Sequence, residues 1–158
     1  MKKSLALLTC IMLLFGCAAA DQAVVLPDSR YVIDIPDGMK YSKPQNGDDG
    51  IHAYYSDTLE MDFLSYPMED TAAPDPAESL QDRAKKLAAD GLEVELRRIN
   101  GIDTIVYRIT DETDDTPGIG YVLEDGGTVI EVIFWFATEE AANMTRTIME
   151  SIRETSDP

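Results

Sequence analysis

One segment near the carboxyl end of the chain restricts the possible folds more than any other. Residues 129–136 read Val-Ile-Glu-Val-Ile-Phe-Trp-Phe, so both alternating sets of side chains are apolar and only Glu131 interrupts them. A strand that is apolar on both faces usually lies in the middle of a sheet that is covered on both sides. The sequence therefore predicts either a helix on each face of a sheet, or a helix on one face and a partner on the other.

Two segments carry the signals of helices that would provide this cover. The first has Asp75 as a candidate N-cap, Pro76 as the first helical residue and Gly91 directly after its last turn. The second is expected to begin after an N-cap at Thr138. Its inward-facing stripe would consist of Ala141, Met144, Ile148 and Ile152.

The rest of the chain alternates between apolar and polar residues and predicts strands. Asn100-Gly101 lies between two alternating runs and predicts a hairpin with a type I′ turn, because both residue types adopt positive φ readily. Strands are predicted over residues 31–35, 51–55, 59–63, 92–96, 102–109, 119–123 and 129–136, with a further strand at 23–26. This order predicts an α+β domain with an antiparallel sheet of about six or seven strands and two main helices packed on it.

Several short patterns resemble the PsbP-like fold. The segment ending in Ile35-Pro36-Asp37-Gly38 is similar to its opening strand and turn, and the Ile99-Asn100-Gly101-Ile102 hairpin resembles its central turn. That turn often precedes an aromatic strand such as Val106-Tyr107. The apolar strand of residues 129–136, running into a final helix, resembles the close of the fold. The resemblance covers most of residues 30–154 and implies an α/β/α sandwich.

The resemblance also implies a binding or assembly protein rather than an enzyme. The PsbP-like fold is shared by the extrinsic PsbP subunit of photosystem II, a Ran-binding nuclear transport factor and many bacterial lipoproteins of unknown function. It brings no family catalytic residue, ligand set or cofactor to this chain. Because a fold supports many unrelated functions, the function has to be argued from this chain's own residues.

The first twenty residues have the order of a bacterial export signal. The basic pair Lys2-Lys3 precedes an apolar run that is shorter than the roughly 18 residues of a membrane span. The run ends in Leu14-Phe15-Gly16-Cys17, which resembles the lipobox of bacterial lipoproteins. We therefore expect residues 1–16 to be a lipoprotein signal peptide and Cys17 to carry lipid. The alternative is ordinary cleavage after Ala20, which would release a secreted protein.

Lipidation of Cys17 would place the folded domain at a membrane surface, joined to the lipid by a short tether. Residues 17–29 are expected to tether a single domain of residues 30–155 to the cell membrane or outer membrane, facing away from the cytoplasm. The two acyl chains on Cys17 are enough for stable anchoring. Since the other cysteine, Cys10, lies inside the signal, the exported domain is expected to have no thiol, disulfide or cysteine-based metal site.

The charge of the chain excludes one large class of partners. Its formal net charge is -17, and the exported part is more acidic still because Lys2 and Lys3 leave with the signal. Such a surface repels phosphate backbones. The sequence therefore predicts no nucleic-acid binding, and a protein partner in the cell envelope is expected instead.

Two sets of residues are candidates for chemistry. His52 is the only histidine, and a catalytic histidine needs a nucleophile or an orienting partner, for which no motif is present. The second set is an acidic loop with oxygen ligands of the kind that Ca²⁺ prefers, although its spacing does not fit an EF-hand. The acidic loop comprises Asp111, Glu112, Asp114 and Asp115.

A third candidate is a contact surface around Trp135. This residue falls on the opposite strand face from Phe134 and Phe136, and an exposed tryptophan would mark a site of protein contact. Taken together, the sequence predicts a membrane-anchored, non-enzymatic binding or assembly module without a cofactor. The alternatives are an extracytoplasmic divalent-cation-binding protein that uses the acidic loop, and a secreted hydrolase built around His52.

Overall fold

The structure is a computed structural model, and it describes residues 21–42, 51–67 and 76–155. These residues form a single α+β arrangement, which confirms the predicted fold class. The helices are α1 (Pro76–Ala89) and α2 (Glu139–Glu150). The strands are β1 (Gln22–Val25), β2 (Tyr31–Ile35), β3 (Lys40–Ser42), β4 (His52–Tyr55), β5 (Leu59–Pro67), β6 (Glu93–Ile99), β7 (Ile102–Thr110), β8 (Pro117–Asp125), β9 (Thr128–Phe136) and β10 (Arg153–Glu154).

Seven strands form one antiparallel sheet, as the hairpin signals predict. Their order is β3-β4-β5-β9-β8-β7-β6. The doubly apolar strand β9 is therefore central, and it pairs with β5 on one side and β8 on the other. On one face β9 contributes Ile130, Val132 and Phe134, all of which are completely buried. The central position predicted from its two apolar faces is confirmed.

A smaller sheet of three strands, in the order β1-β2-β10, packs on the large one. Strand β1 confirms the strand predicted at residues 23–26, but it lies within the segment expected to be a tether. Val24 and Leu26 are buried, and the backbone N–H of Leu26 donates to the carbonyl oxygen of Tyr31. Residues 22–26 therefore belong to the folded part and not to a tether, because Val24 of β1 and Leu26 directly after it are buried in the core.

The two helices lie on opposite faces of the large sheet, so the first of the two predicted arrangements is the observed one. Helix α2 and the small sheet share a core with one face, which includes Phe63, Phe134 and Ile148. Helix α1 packs on the other face, where Leu80 and Ala84 join a second core cluster. The predicted α/β/α sandwich is thus present, with the small sheet added to the α2 side.

The predicted caps and turns are present where the structure describes them. The side-chain oxygen of Thr138 accepts a hydrogen bond from the N–H of Ala141, and Gly91 has a φ of +90° after α1. Asn100 and Gly101 have φ values of 50° and 86°, as a type I′ turn requires. Strands β3 and β10 were not predicted, since three and two residues are too few to show alternation.

Some predictions fall on residues that the structure does not describe. These are the signal peptide, the lipidation site Cys17, the capping side chain of Asp75 and the loop at residues 43–50. Helix α1 does begin at Pro76, the predicted first position. Neither α1 nor α2, the helices of the described residues, has the length and apolar character that crossing a bilayer requires.

Candidate functional site

A cleft of about 480 Å³ opens where β1 of the small sheet approaches the β3–β5 edge of the large sheet. We call it the β1/β4 cleft. One wall is formed by Val24, Val25, Pro27 and Asp28, and the other by Tyr41, His52, Tyr54, Phe63 and Ser65. The cleft combines an aromatic wall with a few polar groups, which is the usual composition of a binding site.

Strand pairing explains why the aromatic residues share one wall. His52 of β4 lies opposite Phe63 of β5, and Tyr54 lies opposite Tyr41 of β3. Residues that oppose each other in an antiparallel pair point to the same face of the sheet. The alternation of β4 therefore places His52 and Tyr54 on the cleft side together.

The aromatic wall is a continuous series of ring contacts. The ring centroids of Tyr41 and Tyr54 are 5.0 Å apart, and those of Tyr54 and Phe63 are 5.8 Å apart with an edge-to-face angle of 84°. Tyr41 also stacks on His52, with its hydroxyl 2.5 Å from Nδ1 of the imidazole. Burial raises the pKa of the Tyr54 phenol, so this ring stays neutral at physiological pH. Such a wall offers stacking surface rather than charge.

The hydroxyl of Ser65 and the imidazole of His52 each have a hydrogen-bond partner in the cleft, and these two side chains are not bonded to each other. The hydroxyl of Ser65 donates to Oδ2 of Asp28 over 2.7 Å. The imidazole of His52 is hydrogen-bonded to Tyr41 instead. A serine nucleophile is activated by a hydrogen bond to its base. Among the described residues, the cleft thus brings together the residue types of a hydrolase without that contact.

Exposed apolar side chains gather at the same edge of the molecule. Of the five large hydrophobic residues that are exposed in the described part of the chain, four belong to β1, β3 and β4 or directly precede β4. They are Val25 at 59%, Tyr41 at 43%, Ile51 at 40% and Tyr55 at 40% exposure. Val25 and Tyr41 line the cleft itself, while Tyr55 points to the opposite face of the sheet. A concentration of apolar surface of this kind is typical of an interaction site.

The acidic loop between β7 and β8 is organised by its own hydrogen bonds. Oδ1 of Asp111 accepts from the N–H of Thr113 over 2.6 Å, and Oδ1 of Asp114 accepts from the N–H of Thr116 over 3.0 Å. The hydrogen bonds from Thr116 lower the pKa of Asp114. Among the residues described, no three or more His, Cys, Asp or Glu side chains are grouped so that they could hold a metal ion. Cation binding by Asp111, Glu112, Asp114 and Asp115 stays a prediction.

Trp135 is half-buried, and it lies outside the core cluster beneath α1. Its indole Nε1 donates to Oδ2 of Asp62 over 3.0 Å. Burial raises the pKa of Asp62, and the hydrogen bond from Trp135 offsets part of this effect. Burial, together with the charge of Asp62, also raises the pKa of Glu60. Trp135 therefore belongs to a partly covered polar pair rather than to a freely exposed apolar surface.

Glu131, the one charged residue in the apolar strand β9, has a hydrogen-bond partner on the sheet face that α1 covers. Its carboxylate accepts a hydrogen bond of 2.5 Å from the hydroxyl of Tyr107. Burial and the negative charge of Glu131 both raise the pKa of Tyr107 strongly, so the phenol remains a donor. The guanidinium of Arg83 lies 5.5 Å from the ring centroid of Tyr66. Burial and the negative charge of Glu131 raise the pKa of Tyr66. This network gives the half-buried Glu131 carboxylate a hydrogen-bond donor, and none of its residues lines the cleft.

The sequence pointed to one residue of the cleft as a candidate for chemistry, His52, and missed Val25, Asp28, Tyr41 and Ser65. Tyr41 belongs to a three-residue strand, and Asp28 lies in a turn with a φ of 50°, so neither stands in a recognisable pattern. Val25 and Asp28 come from the segment expected to be a tether. No local sequence pattern indicates that β1 packs beside β4 and β5, because β1 is distant from both strands in the chain.

Neither a protein-family model nor a curated protein sequence matches this chain. Solved structures do resemble it. The solution structure of cyanobacterial PsbP (CyanoP) from Synechocystis sp. PCC 6803 is 13% identical, with a TM-score of 0.60 over 86% of this chain and 93% of that one. A crystal structure from Bacteroides thetaiotaomicron VPI-5482 is 11% identical, with a TM-score of 0.61 over 86% of this chain and 49% of that one. At these identities the likeness establishes the fold alone, and that fold is PsbP-like.

Proposed function

We propose that this chain is an exported lipoprotein, anchored through Cys17, whose PsbP-like domain is a non-enzymatic binding module for a protein partner in the cell envelope. The β1/β4 cleft and the apolar side chains around it form the binding surface. The observation that carries the proposal is the exposure of Val25 and Tyr41 in the cleft, at an edge that also exposes Ile51 and Tyr55. Aromatic residues are enriched at protein interfaces because they bury a large area at a low cost in conformational entropy.

A protein partner fits this surface better than a small charged ligand. The rings of Tyr41 and Tyr54 offer stacking area, while His52 and Ser65 are already hydrogen-bonded within the chain. Apolar residues of a partner would gain the most from such a wall, and the polar groups would fix their position. The net charge of -17 makes a basic rim on the partner favourable.

The separation of Ser65 from His52 supports a non-enzymatic role. A hydrolase of the serine type needs the hydroxyl and the imidazole in contact, with a third group that orients the base. Here the hydroxyl donates to Asp28, and the imidazole is hydrogen-bonded to Tyr41. Turnover of a defined substrate by the purified protein, with loss of turnover in His52→Ala, would refute this part of the proposal.

Lipidation would hold the binding surface close to the membrane. Only four residues separate Cys17 from the start of β1 at Gln22, so five Cα–Cα steps join the two residues. Five fully extended steps span at most about 18 Å. Because β1 forms one wall of the cleft, an anchor on Cys17 would keep the cleft near the lipid headgroups, within reach of a membrane-associated partner.

Site-specific photo-crosslinking in intact cells tests the binding surface. A photoreactive residue at position 25 or 41 should capture the same partner, because Val25 and Tyr41 line one cleft. The matched control is position 139, since Glu139 is exposed at the start of α2 and is not among the residues that line the cleft. Equal capture at all three positions, or capture at 139 alone, would contradict the proposed surface.

Mass spectrometry of the mature amino terminus tests the anchor. The proposal requires a chain that begins at Cys17 with a diacylglyceryl group, and Cys17→Ser should abolish both the lipid and membrane retention. A mature chain that begins at Asp21 without lipid would instead establish the secreted alternative. The crosslinking result is independent of this outcome, so the anchor and the binding surface are tested separately.

A further inference from the structure

Strand β6 is a long open edge of the large sheet. It has seven residues, and no strand among the residues described pairs with its outer side. Five of the seven residues are exposed. Natural proteins usually blunt such an edge by shortening it, covering it or adding charges, because its free N–H and C=O groups can pair with another strand. The opposite edge, β3, has only three residues.

The hairpin fixes which backbone groups of β6 point outward. The two-residue turn Asn100-Gly101 makes Ile99 and Ile102 a hydrogen-bonded pair, and hydrogen-bonded and non-hydrogen-bonded pairs then alternate along β6 and β7. The backbone groups of every second residue therefore face away from β7. The outward-facing groups belong to Val94, Leu96 and Arg98.

We infer that β6 pairs with β6 of a second copy of this chain, antiparallel, about a two-fold axis at Leu96. In this register Leu96 lies opposite the partner's Leu96, and Val94 lies opposite the partner's Arg98. The outward-facing backbone groups of both strands then meet in hydrogen-bonded pairs. Leu96 is 50% exposed in the single chain, and this pairing covers it with an identical side chain.

Charge complementarity selects this register. Glu95 lies opposite the partner's Arg97, and the two-fold axis repeats the pair, so the interface contains two pairs of opposite charge and no pair of like charge. Within one strand, Oε2 of Glu95 lies 2.6 Å from Nη2 of Arg97. The side chains of Glu95 and Arg97 are 60% and 48% exposed. They occupy non-hydrogen-bonded positions, where facing side chains are closest.

Neighbouring registers are disfavoured by the same charges. A slip of two residues in one direction keeps two opposite-charge pairs, between Glu93 and the partner's Arg97, but adds a like-charge pair by placing Glu95 opposite the partner's Glu95. A slip of two residues in the other direction places Arg97 opposite the partner's Arg97. Like charges directly opposite each other destabilise a pair of strands. The sequence Glu-Leu-Arg at the centre of β6 is thus complementary to itself when antiparallel, although its charges discourage pairing with most other strands.

The surface beside β6 has room for the partner's Leu96. A hollow of about 340 Å³ lies between α1 and β6, lined on the apolar side by Leu80 and Leu96. The two-fold axis runs through the sheet, so both copies of α1 lie on the same face of the joined sheet and both hollows open at the interface. The contact is smaller than a standard protein interface, and the dimer is therefore weak.

Sedimentation equilibrium with charge-swapped variants tests the pairing. The chain from Asp21 onward, which contains every described strand and helix, should dimerise at protein concentrations up to about 1 mM. Glu95→Arg alone and Arg97→Glu alone should each weaken self-association about tenfold, because each places like charges opposite each other. An equimolar mixture of the two variants should associate about as well as the unchanged chain, because each arginine then faces a glutamate.

A cysteine at the two-fold axis gives an independent test. The chain from Asp21 onward contains no cysteine, and hydrogen-bonded antiparallel pairs have Cα atoms about 5.5 Å apart, within the range of a disulfide. Leu96→Cys should form a disulfide-linked dimer on mild oxidation. Arg98→Cys is the matched control, because residue 98 faces the partner's Val94 and not itself, and it should remain uncrosslinked.

Three outcomes would overturn the inference. The first is a chain that stays monomeric at about 1 mM and gives no crosslink through Leu96→Cys. The second is self-association that neither Glu95→Arg nor Arg97→Glu weakens, which would place the dimer contact elsewhere. The third is equal crosslinking by Leu96→Cys and Arg98→Cys, which would mean random collision. Because the replaced side chains are exposed, these variants should fold normally, and circular dichroism verifies this.

Discussion

The ring of Tyr107 lies directly over Gly120 of the neighbouring strand, because β7 and β8 pair these two residues. A Cβ atom added at Gly120 would lie 2.0 Å from Cζ of that ring. Gly120→Ala should therefore displace Tyr107 and break its hydrogen bond to Glu131. We expect the free energy of unfolding to fall by about 3 kcal/mol, measured by urea denaturation followed by circular dichroism.

A double-mutant cycle separates this clash from a general effect of alanine in a strand. In a Tyr107→Leu background the ring is absent, and Gly120→Ala should then cost about 1 kcal/mol or less. Equal costs in the two backgrounds would show that the ring does not determine the residue at position 120. The sequence alone gives no reason for glycine at this position, because the reason lies on another strand.

The half-buried carboxyl group of Asp62 gives a prediction about pH. Burial raises its pKa in the folded state, so the folded state binds this proton more tightly than the unfolded state does. The contribution of Asp62 to stability therefore falls as the pH rises from below its unfolded pKa through its raised folded pKa. Asp62→Asn keeps an oxygen that accepts from Trp135 and removes the charge. It should raise the free energy of unfolding at neutral pH, and the gain should vanish in acid.

Urea denaturation at about pH 7 and about pH 3 measures this difference. Glu112→Gln is the matched control, because it removes the same charge from an exposed position and should change stability little at either pH. A gain from Asp62→Asn that is equal at both pH values would contradict the role of this half-buried charge. A loss at neutral pH would mean that the carboxylate is needed in its ionised form for the bond to Trp135.

At the scale of the elements, Asn100 joins the β6–β7 hairpin to the end of α2. Its Nδ2 donates to the carbonyl oxygen of Glu150 over 2.7 Å and to that of Ile152 over 3.0 Å. Asn100→Gly keeps the positive φ that the turn needs and loses both hydrogen bonds. We expect a loss of about 1–2 kcal/mol in the free energy of unfolding, measured by thermal or urea denaturation.

The β8–β9 hairpin provides the control for this prediction. Gly126 also has a positive φ, of 57°, and a Cβ atom there would meet nothing within 4 Å. Gly126→Asn should change stability by less than about 0.5 kcal/mol, because asparagine tolerates this conformation. A similar loss in Asn100→Gly and Gly126→Asn would show that sensitivity of the turns, and not the contact with α2, explains the effect.

The elements that the sequence predicted well are those whose signals are local. Asn100-Gly101 determines its own turn, Thr138 caps its own helix, and the two apolar faces of β9 reveal its central position. The proposed binding surface has no such signal, because Tyr41 and Ser65 acquire their places only when β3, β4 and β5 pair and β1 packs beside them. Long-range packing of this kind leaves no periodicity in a single sequence.

At the scale of the whole molecule, the domain boundary also depends on long-range packing that the sequence alone does not reveal. Residues 23–26 gave a strand signal, but a four-residue strand next to a predicted export signal gives no sign of whether it belongs to the folded domain. The structure answers this through burial, since Leu26 is completely buried in the core cluster that contains Phe134 and Ile148. The small sheet and the large sheet therefore share one core, and they should unfold together.

Leu26→Ala tests this cooperativity. It removes a completely buried side chain from the core that the small sheet shares with the large sheet, and it should lower the free energy of unfolding by about 3 kcal/mol. Val25→Ala is the neighbouring control, because Val25 is 59% exposed and its loss should change stability by less than about 0.5 kcal/mol.

Two probes show whether the effect reaches the entire fold. The only tryptophan, Trp135, lies on β9 of the large sheet, so its fluorescence reports the large sheet, while circular dichroism reports all strands and helices. If the two sheets are one cooperative unit, both probes of Leu26→Ala should shift to the same lower urea midpoint. A midpoint that falls by circular dichroism but stays unchanged by fluorescence would mean that β1 and β2 detach from an intact large sheet. The segment before residue 30 would then be a dispensable attachment, and the β1/β4 cleft would lose one of its walls without loss of the fold.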